Sequence, residues 1–159
     1  MNKVQFDLTK WYQFLALGFG SGLSPKAPGT MGTIAAIPLV VLLLWAGNIY
    51  LLTFVVLGSA LGVYLCGQTA RDIGEHDHGA IVWDEIIGLG ITMLWAPLHW
   101  QTLLVGFVLF RLFDIVKPWP ISVLDRSVHG GIGIMLDDIA AGLAALASLQ
   151  LLIPFLPLG

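Results

Sequence analysis

The sequence predicts an all-α, polytopic integral membrane bundle of about five spans, one domain over residues 1–159, with an N-terminal interfacial segment. Three observations predict it. Only 11% of the 159 residues are charged while 57% are hydrophobic, and mean hydropathy is +0.88, whereas about a quarter of residues in soluble domains are charged. The seven basic and ten acidic side chains fall into three tracts, Lys3–Lys26, Arg71–Glu85 and Arg111–Asp138. The runs 27–70, 86–110 and 139–159 between and after them carry no charge, as hydrocarbon requires.

Each element follows from this map. Lys3–Phe19 carries Trp11, Tyr12, Phe14 and Phe19, which suit an interfacial segment. Its acids and aromatics stand where a signal peptide has a clean apolar core, so no cleaved leader is expected. Residues 27–70 suffice for two helical crossings of about 20 residues each, with a turn at Ala46-Gly47-Asn48. Thr30 or Thr33 caps the first. Gly58, Gly62 and Cys66 form a small-residue packing seam on the second. Residues 86–110 read as a hairpin turning at Pro97–Gln101, with Trp95 and Trp100 at the interface. Its arms reach bilayer length only if their charged flanks are helical. The last helix is expected from Met135 to Ile153. There Asp137 and Asp138 lead into Ala140, Ala141, Ala144, Ala145 and Ser148, a small-residue stripe that turns the carboxylates into the bundle. The turns at 46–50 and 97–101 and the end at 154–159 hold no Lys or Arg, so the opposite face is cytoplasmic by the positive-inside rule.

Composition also excludes classes of function. The net charge is −3 and no basic patch argues for nucleic acid. A single cysteine, Cys66, rules out a disulfide framework and a paired-thiol metal site.

The charged tracts hold four chemical candidates. Trp83-Asp84-Glu85-Ile86-Ile87-Gly88 places two acids at a helix start, where they favour the helix dipole or bind Mg²⁺. Asp137-Asp138, flanked by Leu136 and Ile139, needs a counter-charge: a divalent cation, Arg111 or Lys117. Two acidic pairs with few spare cations favour the metal. In Arg111-Leu-Phe-Asp114-Ile-Val-Lys117-Pro-Trp-Pro120, Arg111 and Asp114 either form a structural ion pair or leave Arg111 and Lys117 to meet a phosphate. The glycine-rich segment Gly18–Thr33 offers backbone amides with Ser21, Ser24, Lys26, Thr30 and Thr33 as donors, or is simply a turn. Glu75-His76-Asp77-His78 and His129 read as solvated loops rather than ligands.

These segments together resemble the phosphatidylglycerophosphatase A family of bacterial inner-membrane enzymes. The likeness runs through LSPKAPGTMGT (23–33), HDHGAIVWDEIIG (76–88), FRLFDIVKPWP (110–120) and DRSVHGGIGIMLDDIAAG (125–142), and so covers most of the chain. It implies Mg²⁺-dependent removal of the terminal phosphate of phosphatidylglycerophosphate, giving phosphatidylglycerol in phospholipid biosynthesis. On that basis Asp84, Glu85, Asp137 and Asp138 are the expected ligands of one or two Mg²⁺ ions. Asp114 is then a further ligand or the base, Asp84 and Asp138 act in catalysis through the metal, and Lys26, Thr30, Arg111 and Lys117 bind the substrate phosphate. The acyl chains are expected to stay in lipid. A small transporter using intramembrane carboxylates, a phosphatase of another phospholipid and a non-catalytic assembly subunit are the rival readings.

Overall fold

The structure, a computed structural model, describes residues 4–157. The described residues form seven α-helices and no strand: α1 Trp11–Ala16, α2 Pro28–Ala46, α3 Asn48–Ile73, α4 Trp83–Thr92, α5 Trp100–Val116, α6 Ile121–Ser127 and α7 Gly130–Leu152. Three of them, α2, α3 and α7, are long and apolar enough to cross a membrane. α7 is the central post, packed against α3, α4, α5 and α6.

Residues 86–110 form the expected hairpin, but it reverses earlier, between Thr92 and Trp100. α4 has ten residues, about 15 Å at 1.5 Å per residue, then unwinds through tight turns to Ala96. Both arms take in their charged flanks: Asp84 and Glu85 lie in α4, Arg111 and Asp114 in α5. The two ends of the bundle differ in kind. One is uncharged and joined by polar links, Trp95 N to Asn48 Oδ1 at 2.7 Å, Gln101 Nε2 to Pro157 O at 2.9 Å and Gln150 Nε2 to Leu94 O at 3.0 Å. The other gathers the charged tracts.

α7 begins at Gly130 rather than Met135. The reason is contact: a Cβ on Gly131 would run into the backbone carbonyl of Val63, and one on Gly133 into that of Val128. Glycine, a poor helix former, is used here to bring α7 against α3. α2 is not capped by a threonine as expected. Pro28 opens it, Ala27 at its N-cap makes no side-chain bond, and Thr33 Oγ1 donates back to Gly29 O at 2.9 Å. The seam on α3 is packing, as expected: Gly58 and Gly62 admit Trp83, Ile87 and Met135, and Cys66 Sγ lies 4.0 Å from Met135 Sδ.

The N-terminal segment is tied down at α3. Lys10 Nζ, Tyr12 Oη and Gln13 Nε2 all donate to Asp72 Oδ2, and Trp11 stacks on Tyr64. Trp11, Phe14 and Phe19 stay exposed, as an interfacial segment requires. Lys3, expected to begin that segment, lies outside the described residues, as do Leu158 and Gly159 of the expected outer end.

Candidate active site

The acid-bearing start of α4 is held from three sides. Val82 N donates to Ala16 O at 2.8 Å, Trp83 Nε1 donates to Gly58 O at 2.9 Å, and the glycine segment packs against Ala80–Val82. In that last contact a Cβ on Gly22 would strike Ala80 O and one on Gly32 would strike Val82. Most of these glycines therefore serve close packing beneath α4. Gly20 faces open space, and Gly29 faces the acids instead: its Cβ would meet Glu85 Oε1 and lie 3.2 Å from Arg111 Nη2. At that helix start Met31 N bonds Ala27 O, which leaves the amides of Gly29 and Thr30 without an intrahelical acceptor.

Asp84 and Glu85 on α4 meet Asp138 on α7. Each offers an oxygen, and these atoms lie within 4.8 Å of one another. Asp84 and Asp138 are 7% and 3% exposed. Asp84 Oδ1, Glu85 Oε2 and Asp138 Oδ2 are buried with no hydrogen-bond partner. The cation at the cluster is Arg111, whose Nη1 is 2.6 Å from Asp114 Oδ2, 3.9 Å from Glu85 Oε1 and 3.5 Å from Thr33 Oγ1. Arg111 thus serves Asp114 and Glu85, and among the described residues no cation pairs with Asp84 or Asp138, in a place where unpaired charge is costly. Orphaned carboxylate oxygens, all hard donors, fit a divalent cation such as Mg²⁺.

The expected fourth acid is placed differently. Asp137 Oδ2 accepts from Lys117 Nζ at 2.5 Å, and the same ammonium donates to Asp125 Oδ1 at 2.6 Å. Burial works against the Lys117 charge, but the hydrogen bonds to Asp125 and Asp137 outweigh it and hold its pKa above the ordinary lysine value. The Lys117 hydrogen bond holds Asp125 below the ordinary aspartate range. Lys117 is therefore a clasp between α6 and α7. Of the other expected phosphate ligands, Arg111 lies at the cluster, Thr30 is half-buried in the first turn of α2, and Lys26 is exposed ahead of α2. His76 Nε2 accepts from Gly130 N at 2.6 Å and His78 Nδ1 from Ala80 N at 3.1 Å, structural roles in keeping with the loop reading. Asp125 was not among the expected site residues. Its one sequence signal is the Pro118-Trp-Pro120 break, which lets the following helix fold back on Lys117.

The family model of phosphatidylglycerophosphatase A matches residues 14–153. The chain belongs to the phosphatidylglycerophosphatase A family. A phosphatidylglycerophosphatase A of Escherichia coli K12 is 52% identical over 99% of this chain and 92% of its own length. One from Haemophilus influenzae is 50% identical, covering 82% of each. A putative phosphatidylinositol-3-phosphatase of Bacteroides thetaiotaomicron is 35% identical over 80% of the chain and 84% of its own length. No solved structure matches. Membership in the phosphatidylglycerophosphatase A family makes the chain an enzyme, a phosphoric monoester hydrolase, and makes the acidic cluster its candidate catalytic centre.

Proposed function

We propose that this enzyme hydrolyses the terminal phosphate of phosphatidylglycerophosphate to phosphatidylglycerol and inorganic phosphate, in phospholipid synthesis, with Mg²⁺ as cofactor. The observation that carries it is the buried Asp84–Glu85–Asp138 cluster, with orphaned oxygens, beside Arg111 at the charged end of a membrane bundle.

Asp84, Glu85 and Asp138 would hold the cation. When bound, it polarises phosphoryl oxygens and lowers the pKa of water. The chain's own residues supply the rest. Arg111 offers its fork to the phosphate, with Asp114 fixing the plane of the guanidinium. The amides of Gly29 and Thr30 face developing negative charge from the start of α2. Asp114 is the candidate to take the proton of the attacking water, and Lys117, clasped by Asp125 and Asp137, sets α7 and hence Asp138 against α4. In this reading α2, α3, α4, α5 and α7 are the five membrane-embedded elements. The charged end faces the cytoplasm of a bacterial inner membrane, where the substrate phosphate projects.

Phosphate release from phosphatidylglycerophosphate in detergent micelles, with phosphatidic acid and phosphatidylinositol 3-phosphate alongside, tests this. Selective release from phosphatidylglycerophosphate is expected. Preference for the inositol lipid, which the Bacteroides relative's name raises, would move the assignment to another phospholipid. No release from any of the three by folded protein would end it.

A further inference from the structure

α4 packs against both α2 and α5, while α2 and α5 make at most marginal contact with each other. The space between them is an apolar groove of about 330 Å³, within the size range of small-ligand pockets. Half-buried Ile37, Leu103 and Phe107 form its walls, and the exposed Ile34 and Leu104 its lips. The groove has a direction. On α2, Ile34 directly follows Thr33; on α5, Phe107 stands one turn before Arg111. The 3.5 Å approach of Arg111 Nη1 to Thr33 Oγ1 spans the two helices at that end, beside Glu85. One end of the slot is therefore the phosphate-facing cation. The rest runs apolar along α2, a membrane-crossing helix by length and composition, toward the uncharged end.

We propose that, against the expectation that both acyl chains stay in lipid, this groove seats one acyl chain of the lipid whose phosphate reaches Arg111. The inference rests on the phospholipid phosphatase reading and adds a substrate-positioning subsite to it. An anionic head joined to an apolar tail is the one ligand class that matches a guanidinium at the mouth and aliphatic walls beyond it. A chain gains little by leaving bilayer for protein, since lipid tails are as apolar as leucine. The groove therefore acts by orientation: it fixes where the glycerol enters and so where the phosphate meets the acidic cluster.

Ile37→Trp and Leu104→Trp would fill the slot, and Leu57→Trp, on the exposed face of α3, is the control. With dioleoyl phosphatidylglycerophosphate the two groove variants should lose about tenfold in kcat/KM, while with the dihexanoyl lipid they stay within about twofold of wild type, as does Leu57→Trp with both. Equal losses at both chain lengths, or none at either, would overturn the groove. Wild type inert toward both lipids would instead overturn the phosphatase reading on which it rests. Should the tryptophans prevent folding, a phosphatidylglycerophosphate with a diazirine in one acyl chain can be crosslinked to Asp138→Asn protein. Label concentrated on residues 34–37 and 103–107 supports the subsite; label spread evenly over the lipid-facing helices contradicts it.

Discussion

Lys117 Nζ donates to Asp137 Oδ2 at 2.5 Å, joining the residue just past α5 to the helix that carries Asp138. The pairing engages Asp137 with Lys117, apart from the Asp84–Glu85–Asp138 cluster, and gives it a mechanical task. Lys117→Ala should destabilise the protein by about 2 kcal/mol, the scale of a hydrogen bond to a charged group. It should leave Asp137 buried without its cation. Thermal unfolding in detergent measures the loss.

The other arm of the clasp fixes a pH dependence. Asp125 has a depressed pKa, so its contribution is present above the ordinary aspartate value and fades as pH falls through the folded one. Lys117 has a raised pKa, so its contribution is complete below the ordinary lysine value and fades only at higher pH. The Tm difference between wild type and Asp125→Asn should therefore shrink as pH falls below the ordinary aspartate value of about 4. A difference undiminished at the acid end would contradict the clasp.

Close helix contact positions the acids. A Cβ on Gly142 would lie 2.7 Å from Gly88 O, which must move if α7 is to keep its place against α4. Gly142→Ala should cost about 1–3 kcal/mol as overpacking. It should also lower kcat more than KM, because Asp138 moves relative to Asp84. Steady-state kinetics beside a melting curve separates the two effects.

How far the sequence discloses this site depends on the residue. The charge map leads to the hairpin, the seam of Gly58 and Gly62, and the acids at helix ends, because hydrocarbon leaves charge few places to go. It does not distinguish Asp137 from Asp138. Neighbouring positions on a helix point about 100° apart, so one meets α4 and the other meets Lys117, and only the packing of α5 and α6 decides which. Glycine misleads in two places. Gly130–Gly133 lies ahead of the start expected at Met135 yet is helix because α3 comes close, and the glycines of Gly18–Thr33, which reads as a turn or a phosphate cradle, mostly pack against Ala80–Val82.

Arg111 reaches Asp114 at 2.6 Å and Glu85 at 3.9 Å through one nitrogen, Nη1, and in the proposed function the planar fork also meets the phosphate. Arg111→Lys keeps the charge and loses the fork. A fall in kcat/KM of about 10- to 100-fold is expected, with smaller change in stability. Near-normal kinetics would remove Arg111 from phosphate binding.

The most direct test of the proposed Mg²⁺ dependence is phosphate release from phosphatidylglycerophosphate, with and without Mg²⁺, by wild type, Asp84→Asn, Asp138→Asn and Asp137→Asn. Wild-type release should stop in EDTA and return with Mg²⁺. Asp84→Asn and Asp138→Asn should fold yet fall by about 10³-fold or more at any Mg²⁺ concentration, the scale of losing a principal electrostatic stabiliser. Asp137→Asn should keep measurable Mg²⁺-dependent turnover. Metal-independent release by wild type, or near-normal release by Asp84→Asn or Asp138→Asn, would contradict the account.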